Sequence, residues 1–419
     1  MNQQTKHPSL WKNREYKLWL TGDLALDIGS SIGSFAFPLI TLAVTGSPQA
    51  AGSVAFFQAI GLILAILPGG VLADRYDRRK LRLTSCSLGV LAQALFLFLL
   101  FGGQANLWSL AVVAAADRFR SSLLGEASDA MIKTVVGEQQ LPKAIAINQG
   151  REAAVGLGSG PAGGALLALG FAFPPLTQLL GNLLGLLTTL GMKGKYRPDT
   201  EAVETSSLKQ DFLAGIGWLL ARPLLMVIGF SLALLNFGIS GAIMTVSLGA
   251  AQAEVAPVYI GCVLAALSAS MLLGSIPAAR IIETTSAGRL LIFAFFLFAL
   301  LIFSLPLLPN LWWVGAALVL GGFIVPAVNS GLLGFFTLII PNHMLGRVQS
   351  VVALLATGLA ALAPALAGWL LGYAGQGVAV AVFGSAALLA GVLLVLSRQV
   401  RCLPASGNWQ TYAHDEELI

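Results

Sequence analysis

In the first half of this chain, ten charged side chains fall in or at the edge of long apolar stretches: the acids Asp23, Asp27, Asp117, Glu126, Asp129 and Glu152, and the bases Arg118, Arg120, Lys133 and Arg151. A charge in apolar surroundings is expensive unless something compensates it. Such groups pair with one another, exchange protons, or meet a charged solute. Asp23 and Asp27 lie one helical turn apart, and a rotation of about 100° per residue puts Ser30, Ser31 and Ser34 on the same arc. Farther along, Arg118, Glu126, Asp129 and Lys133 share an arc of roughly 80° by the same rotation. Arg151 and Glu152 follow at about the depth of Glu126. Two readings fit this pattern. One is a titratable network that trades protons, and the other is a permanent lattice of ion pairs that ties helices together.

The elements that must position these groups are apolar spans. Hydropathy marks twelve of them, at about 17–43, 50–73, 82–102, 107–132, 144–170, 175–192, 223–249, 257–280, 289–308, 312–338, 348–372 and 378–397. Most are long enough, at 1.5 Å per residue, to cross a bilayer core of about 30 Å. With 57% hydrophobic and 10% charged residues, a soluble fold would leave large apolar faces in water, so that class is excluded. The fold class is all-α, in the membrane. Counted inward from Lys17, Asp27 is about 15 Å deep, and Arg118 reaches a similar depth from Leu107, so the two are expected to meet near the midplane.

Every second connection, at 45–49, 102–106, 171–175, 251–256, 306–310 and 372–377, holds no Lys or Arg. The other connections carry nearly all 24 of them. Because loops facing the cytoplasm retain positive charge, both termini are expected there. The same rule accounts for the net charge of +5 without a nucleic-acid partner. The cysteines Cys86, Cys262 and Cys402 show no metal-ligand spacing, and His7, His343 and His414 all fall in expected cytoplasmic segments, so neither a metal nor another cofactor is expected.

Six spans stand on each side of one polar connection, which divides the chain into a bundle at 1–192, a linker at 193–222, a second bundle at 223–400 and a tail at 401–419 expected to be disordered. Within the linker, Ser207 and Gln210 have capping-box spacing, and Phe212, Leu213, Ile216, Leu219 and Leu220 follow at helical spacing. This predicts an interfacial helix ended by Pro223, or else an extension of the seventh span.

Between the second and third spans runs Gly69-Gly70-Val71-Leu72-Ala73-Asp74-Arg75-Tyr76-Asp77-Arg78-Arg79-Lys80. This resembles the loop signature of the major facilitator superfamily, with Asp77 where the general signature has a second glycine, a form similar to the macrolide and siderophore exporters of that group. Span five, with Gly156, Gly160, Pro161 and Gly164, resembles the signature of antiporter members, and Ala221-Arg222-Pro223 and Leu345-Gly346-Arg347-Val348 also look like the exporter group. The resemblance covers essentially the whole chain.

What it implies is two six-helix bundles, alternating access, and a cytoplasmic latch made by Gly70, Asp74, Arg75, Arg78 and Arg79, with Asp74 docking at the start of the eleventh span. In the second half, Ala278 and Ala279 stand where an aspartate is expected, which puts a second latch in doubt. Asp23, Asp27, Arg118, Glu126, Asp129 and Arg151 become candidates for proton coupling and the cavity. Asn236 and Asn329 are the candidate polar groups of an otherwise apolar second half. The expected activity is proton-driven efflux of an amphipathic drug-like or natural-product molecule by a monomer in the bacterial cytoplasmic membrane, with protons, the solute and lipid as partners and the proton gradient as energy source. A siderophore as cargo, or a lysophospholipid, is the alternative. Neither a phosphate-binding loop nor a hydrolytic constellation stands out, so no enzyme is expected.

Overall fold

The computed structural model describes residues 10–137, 140–194, 196–197, 208–306, 310–341 and 344–415. His7, Ser207 and His343 lie outside the described residues. The described chain is helical: α1 (Arg14–Thr45), α2 (Pro48–Arg75), α3 (Arg78–Phe101), α4 (Leu107–Val135), α5 (Leu141–Leu169), α6 (Phe173–Gly191), α7 (Leu208–Leu220), α8 (Pro223–Gln252), α9 (Pro257–Thr284), α10 (Ala287–Ser304), α11 (Leu311–Ile339), α12 (Leu345–Gly358), α13 (Ala363–Leu396), α14 (Arg398–Arg401) and α15 (Trp409–Asp415). The local sequence explains the starts. Asn13, Asp77, Asn106 and Asn310 cap α1, α3, α4 and α11 by accepting from early backbone N–H groups, while proline opens α6, α8 and α9, where a missing N–H costs nothing.

Among the described residues, eight stretches are long and apolar enough to cross a membrane, one of them, Arg347–Leu396, holding two of the expected spans. α4, α5 and α6 fall short of that measure. They carry Asp117, Arg118, Arg120, Arg151, Gln178 and Asn182, so the side chains that lower their hydropathy are those gathered in the cavity below.

Contacts divide the chain into one unit of residues 1–46 with 57–203 and another of 47–56 with 204–419. The division differs from a clean cut at the linker, because the first turns of α2 pack with the second unit. In the first unit, α1 lies against α6 at very short range: a Cβ added to Gly29 would stand 3.0 Å from the Gln178 Cα, and one on Gly181 would run into the Ala25 carbonyl. Only glycine permits that approach, and it brings the acids of α1 close to the amides of α6.

The second unit departs from expectation in two places. The eleventh span is not one helix, since α12 ends at Gly358, a 3-10 turn covers Ala360–Leu362, and α13 resumes with Pro364 in its first turn. Proline has no N–H for the preceding turn, and the Asn236 side chain donates to the Ala356 carbonyl (3.1 Å) beside the break. α13 is itself kinked at Gly375, whose φ of 82° and ψ of 170° suit glycine alone.

The described part of the tail, to Asp415, is ordered, not disordered as composition suggested. Trp409 is buried, packs edge-on against Phe335 and donates to the Pro404 carbonyl, while Ser286, Ala287 and Gly288 bond to the backbone at Leu403 and Pro404. One aromatic anchor and a short backbone strip outweigh the polar composition. Trp409→Ala is therefore expected to cost about 3 kcal/mol, seen as a lower midpoint in thermal unfolding of the purified protein.

The linker helix α7 is separate from α8, as one of the two sequence readings has it. Its Gly215 backs onto the Arg347 carbonyl of α12 at 2.8 Å for an added Cβ, and Arg222 stacks on Trp218 with 3.8 Å between guanidinium carbon and ring centre.

Candidate functional site

Asp23 of α1 is buried and surrounded from three helices. It accepts from Arg151 of α5 and from the Ser128 hydroxyl of α4, and the Arg82 guanidinium of α3 stands 3.6 Å away. Arg82 in turn donates to the Ser128 hydroxyl (2.8 Å) and the Trp19 carbonyl (3.2 Å). Trp19 closes the group, donating its ring N–H to the Ser128 carbonyl (2.9 Å) and lying under Arg151 at 5.9 Å. Two cations around one carboxylate leave positive charge to be shared, and Arg151 shares it with Asp27 (3.5 Å) and Glu152 (3.7 Å).

A second cluster sits on the other side of the cavity. Asp117 is held by Arg120 (2.7 Å) and by the Gln178 amide (2.6 Å), and Arg120 also donates to the Ser85 carbonyl (2.7 Å) and hydroxyl (3.0 Å). The Asn182 amide donates to the Gln178 carbonyl (2.8 Å). Two buried amide oxygens here, on Gln178 and Asn182, have no hydrogen-bond partner among the described residues, which a packed core avoids.

Between the clusters lies a cavity of about 330 Å³, reached by both. Asp23, Asp27, Arg118, Arg151, Glu152, Gln178 and Asn182 line it, with hydroxyls of Ser30, Ser121 and Ser122. Arg118 is partly buried, and its guanidinium makes no hydrogen bond or ion pair with any described residue. The expected meeting of Asp27 with Arg118 does not occur. Both face the cavity, but the partner of Asp27 is Arg151, because α5 packs beside α1 and brings Arg151 to that level. Glu126 and Asp129 have side chains outside the described residues, and Lys133 is exposed near the end of α4.

Of the expected latch residues, Gly70 and Asp74 fall in the last turns of α2, and the surroundings of their side chains lie outside what is described. Asp77 is an N-cap, accepting from the N–H groups of Arg79 (2.9 Å) and Lys80 (3.2 Å), which is why an acid serves where the general signature has glycine. Arg78 donates to the Ala73 and Ala130 carbonyls (3.2 Å each), and Arg79 to those of Thr189 and Leu190 (3.1 Å each). These arginines thus cap the carbonyl ends of α2, α4 and α6 and hold the first unit together at that end. Arg75 is exposed. Nearby, Tyr196 donates to Glu15 (2.5 Å), and burial together with that carboxylate pushes the tyrosine hydroxyl well above its ordinary range, so it stays a donor.

In α5, Gly160, Gly163 and Gly164 are buried, a Cβ on Gly163 meeting the Phe35 ring at 2.8 Å, whereas Gly156 faces open space. Pro161 lies inside the helix. In the second unit, Asn236 is occupied at the α12 break, and Asn329 is exposed. Arg82, Trp19, Ser128, Gln178 and Asn182 escaped the sequence reading as site residues. Gln178 and Asn182 had a usable signal, two amides at i and i+4 in an apolar helix with Gly181 and Gly185 on neighbouring positions.

The sequence profile of the transmembrane secretion effector family matches residues 12–417. The enterobactin exporter EntS of Shigella dysenteriae serotype 1 (strain Sd197) is 27% identical over 369 residues, 86% of each chain, and that of Escherichia coli O1:K1 / APEC is 28% identical over the same length and shares. Among solved structures, a bacterial homologue of the iron transporter ferroportin superimposes with a TM-score of 0.71 at 17% identity, covering 93% of this chain and 99% of that one. The nucleoside transporter NupG gives 0.70 at 12% identity, covering 92% and 98%. At such identities the structural likeness speaks for the fold.

Proposed function

The chain belongs to the transmembrane secretion effector family, a group of major facilitator transporters, and from that premise we propose that this multi-pass membrane protein exports a polar, anionic small molecule of the siderophore class in exchange for protons. The observation that carries the choice of cargo is the lining of the cavity in the first unit. Guanidinium groups, carboxylates, amides and hydroxyls surround it, which suits a polar solute better than a lipophilic one. The relatives support the same reading through what they are named to export. Efflux of a lipophilic, weakly basic drug-like molecule is the second reading, favoured by the exposed apolar side chains Phe323 and Leu333 beside Asn329 and Ser330 on α11.

On this reading Asp27 is the coupling carboxylate. It faces the cavity, is less enclosed than Asp23, and shares one arginine with Asp23 and Glu152, so its protonation leaves Arg151 to those two. Asp23 with Arg82 is the fixed half of the arrangement. Asp74 and the loop arginines form the cytoplasmic latch, and both termini face the cytoplasm. Deleting the gene in a strain that makes a catecholate or hydroxamate chelator should raise its intracellular content and lower its secretion. Unchanged secretion, with new sensitivity to lipophilic cations, would favour the second reading.

The orientation has its own check. In a protein with Cys262 and Cys402 replaced, single cysteines at Gln104 and Gln252 should react with an impermeant thiol reagent added to whole cells, and cysteines at Lys193 and Glu283 should not. The opposite labelling pattern would reverse the topology.

A further inference from the structure

We infer that Arg118 is an oxyanion-binding subsite, which takes the paired oxygens of a carboxylate, catecholate or hydroxamate; this rests on the reading of the cavity as the cargo site. Three arginines, Arg118, Arg120 and Arg151, line that cavity, and Arg82 stands behind it against Asp23. Arg82 and Arg151 are neutralised by Asp23, with Arg151 also facing Asp27 and Glu152, and Arg120 is neutralised by Asp117. Arg118 sits on the turn between Asp117 and Arg120 yet lines the cavity and makes no hydrogen bond or ion pair with a described residue, Asp117 beside it acting only as a neighbouring charge.

A guanidinium with no ion-pair partner among the described residues of a membrane-spanning bundle is costly to the protein, and a ligand that supplies an anion recovers that cost on binding. Its planar fork of donors matches two neighbouring oxygens of one ligand better than a single point charge does. Among the described acids that would repel such a ligand, Asp23, Asp27 and Glu152 lie against Arg151 and Asp117 lies against Arg120. The hydroxyls of Ser30 and Ser121 bond to backbone carbonyls of Asp27 and Arg118 in this state. They are rotors, free to turn toward an anion. The amide oxygens of Gln178 and Asn182 are acceptors with nothing to accept from, and they suit a neutral hydroxyl carried next to the anion.

Salicylate, with a carboxylate beside a hydroxyl, and salicylamide, its neutral counterpart, make a matched pair of probes. Using the full chain in nanodiscs, salicylate should raise the thermal midpoint and bind at least tenfold more tightly than salicylamide. In Arg118→Gln the preference should vanish, while the midpoint without ligand stays level or rises, because an uncompensated charge has been removed. Arg118→Lys should keep part of the preference. Equal affinities for the two probes, no binding of salicylate by the parent protein, or a preserved preference in Arg118→Gln would each overturn the subsite, as would a marked loss of stability in Arg118→Gln without ligand. Salicylate binding that depends on Arg118, together with no proton-driven movement of any anionic chelator, would leave the subsite standing and defeat the proposed function instead.

Discussion

Asp23→Asn should lose about 3–5 kcal/mol of stability, the range found when one partner of a buried ion pair is removed and the other charge stays behind. Here the carboxylate serves two guanidinium groups, Arg82 and Arg151, whose side chains are 2% and 8% exposed. Arg82 is enclosed in the bundle, and Arg151 borders the cavity beside Asp27 and Glu152. Thermal unfolding of the purified protein is the measurement, with a fall in midpoint and in membrane yield expected. The double variant Asp23→Asn with Arg82→Met should recover part of that loss, since it restores the balance of charge. A single variant as stable as the parent would mean that the Asp23 cluster is not held together by charge.

Asp27→Asn should behave in the opposite way. Its side chain is 30% exposed and its contact with Arg151 is 3.5 Å, so the pair contributes only about 0–1 kcal/mol and the protein should fold. Transport driven by a pH gradient should nevertheless drop at least tenfold, because a neutral amide cannot give back a proton. Exchange of labelled for unlabelled solute across vesicles needs no net protonation change and should persist. Gradient-driven uptake at the parent rate would remove Asp27 from the coupling step. Loss of uptake and exchange together would make it a binding group.

How much of this was legible beforehand follows from what each residue depends on. The spans, the loops without Lys or Arg and the caps at Asn13, Asp77, Asn106 and Asn310 depend on neighbours in sequence, and the sequence pattern located the spans to within a few residues. The charged arcs of α1 and α4 were also visible, because rotation per residue is fixed within a helix. Who pairs with whom was not visible, since it depends on how helices pack. The glycines of α1 and α6 set the spacing that brings Gln178 toward Asp117, and Arg82, which in sequence belongs to a run of loop charges, enters the core because it begins one turn into α3. The order of the tail depended on a single side chain, Trp409, whose pocket between α11 and the backbone after α14 no local pattern announces. The break after α12 was open to inference from Pro364, which was passed over because the whole segment is apolar.

The central claim concerns the charge of what is moved. Purified protein reconstituted in vesicles, with an acidic interior imposed, should accumulate a radiolabelled anionic catecholate or hydroxamate chelator when its cytoplasmic face is outward, and should lose that accumulation when the gradient is collapsed by a protonophore. Accumulation of a lipophilic weak base beyond that of protein-free vesicles under the same gradient, with the anionic chelator left outside, would contradict the account.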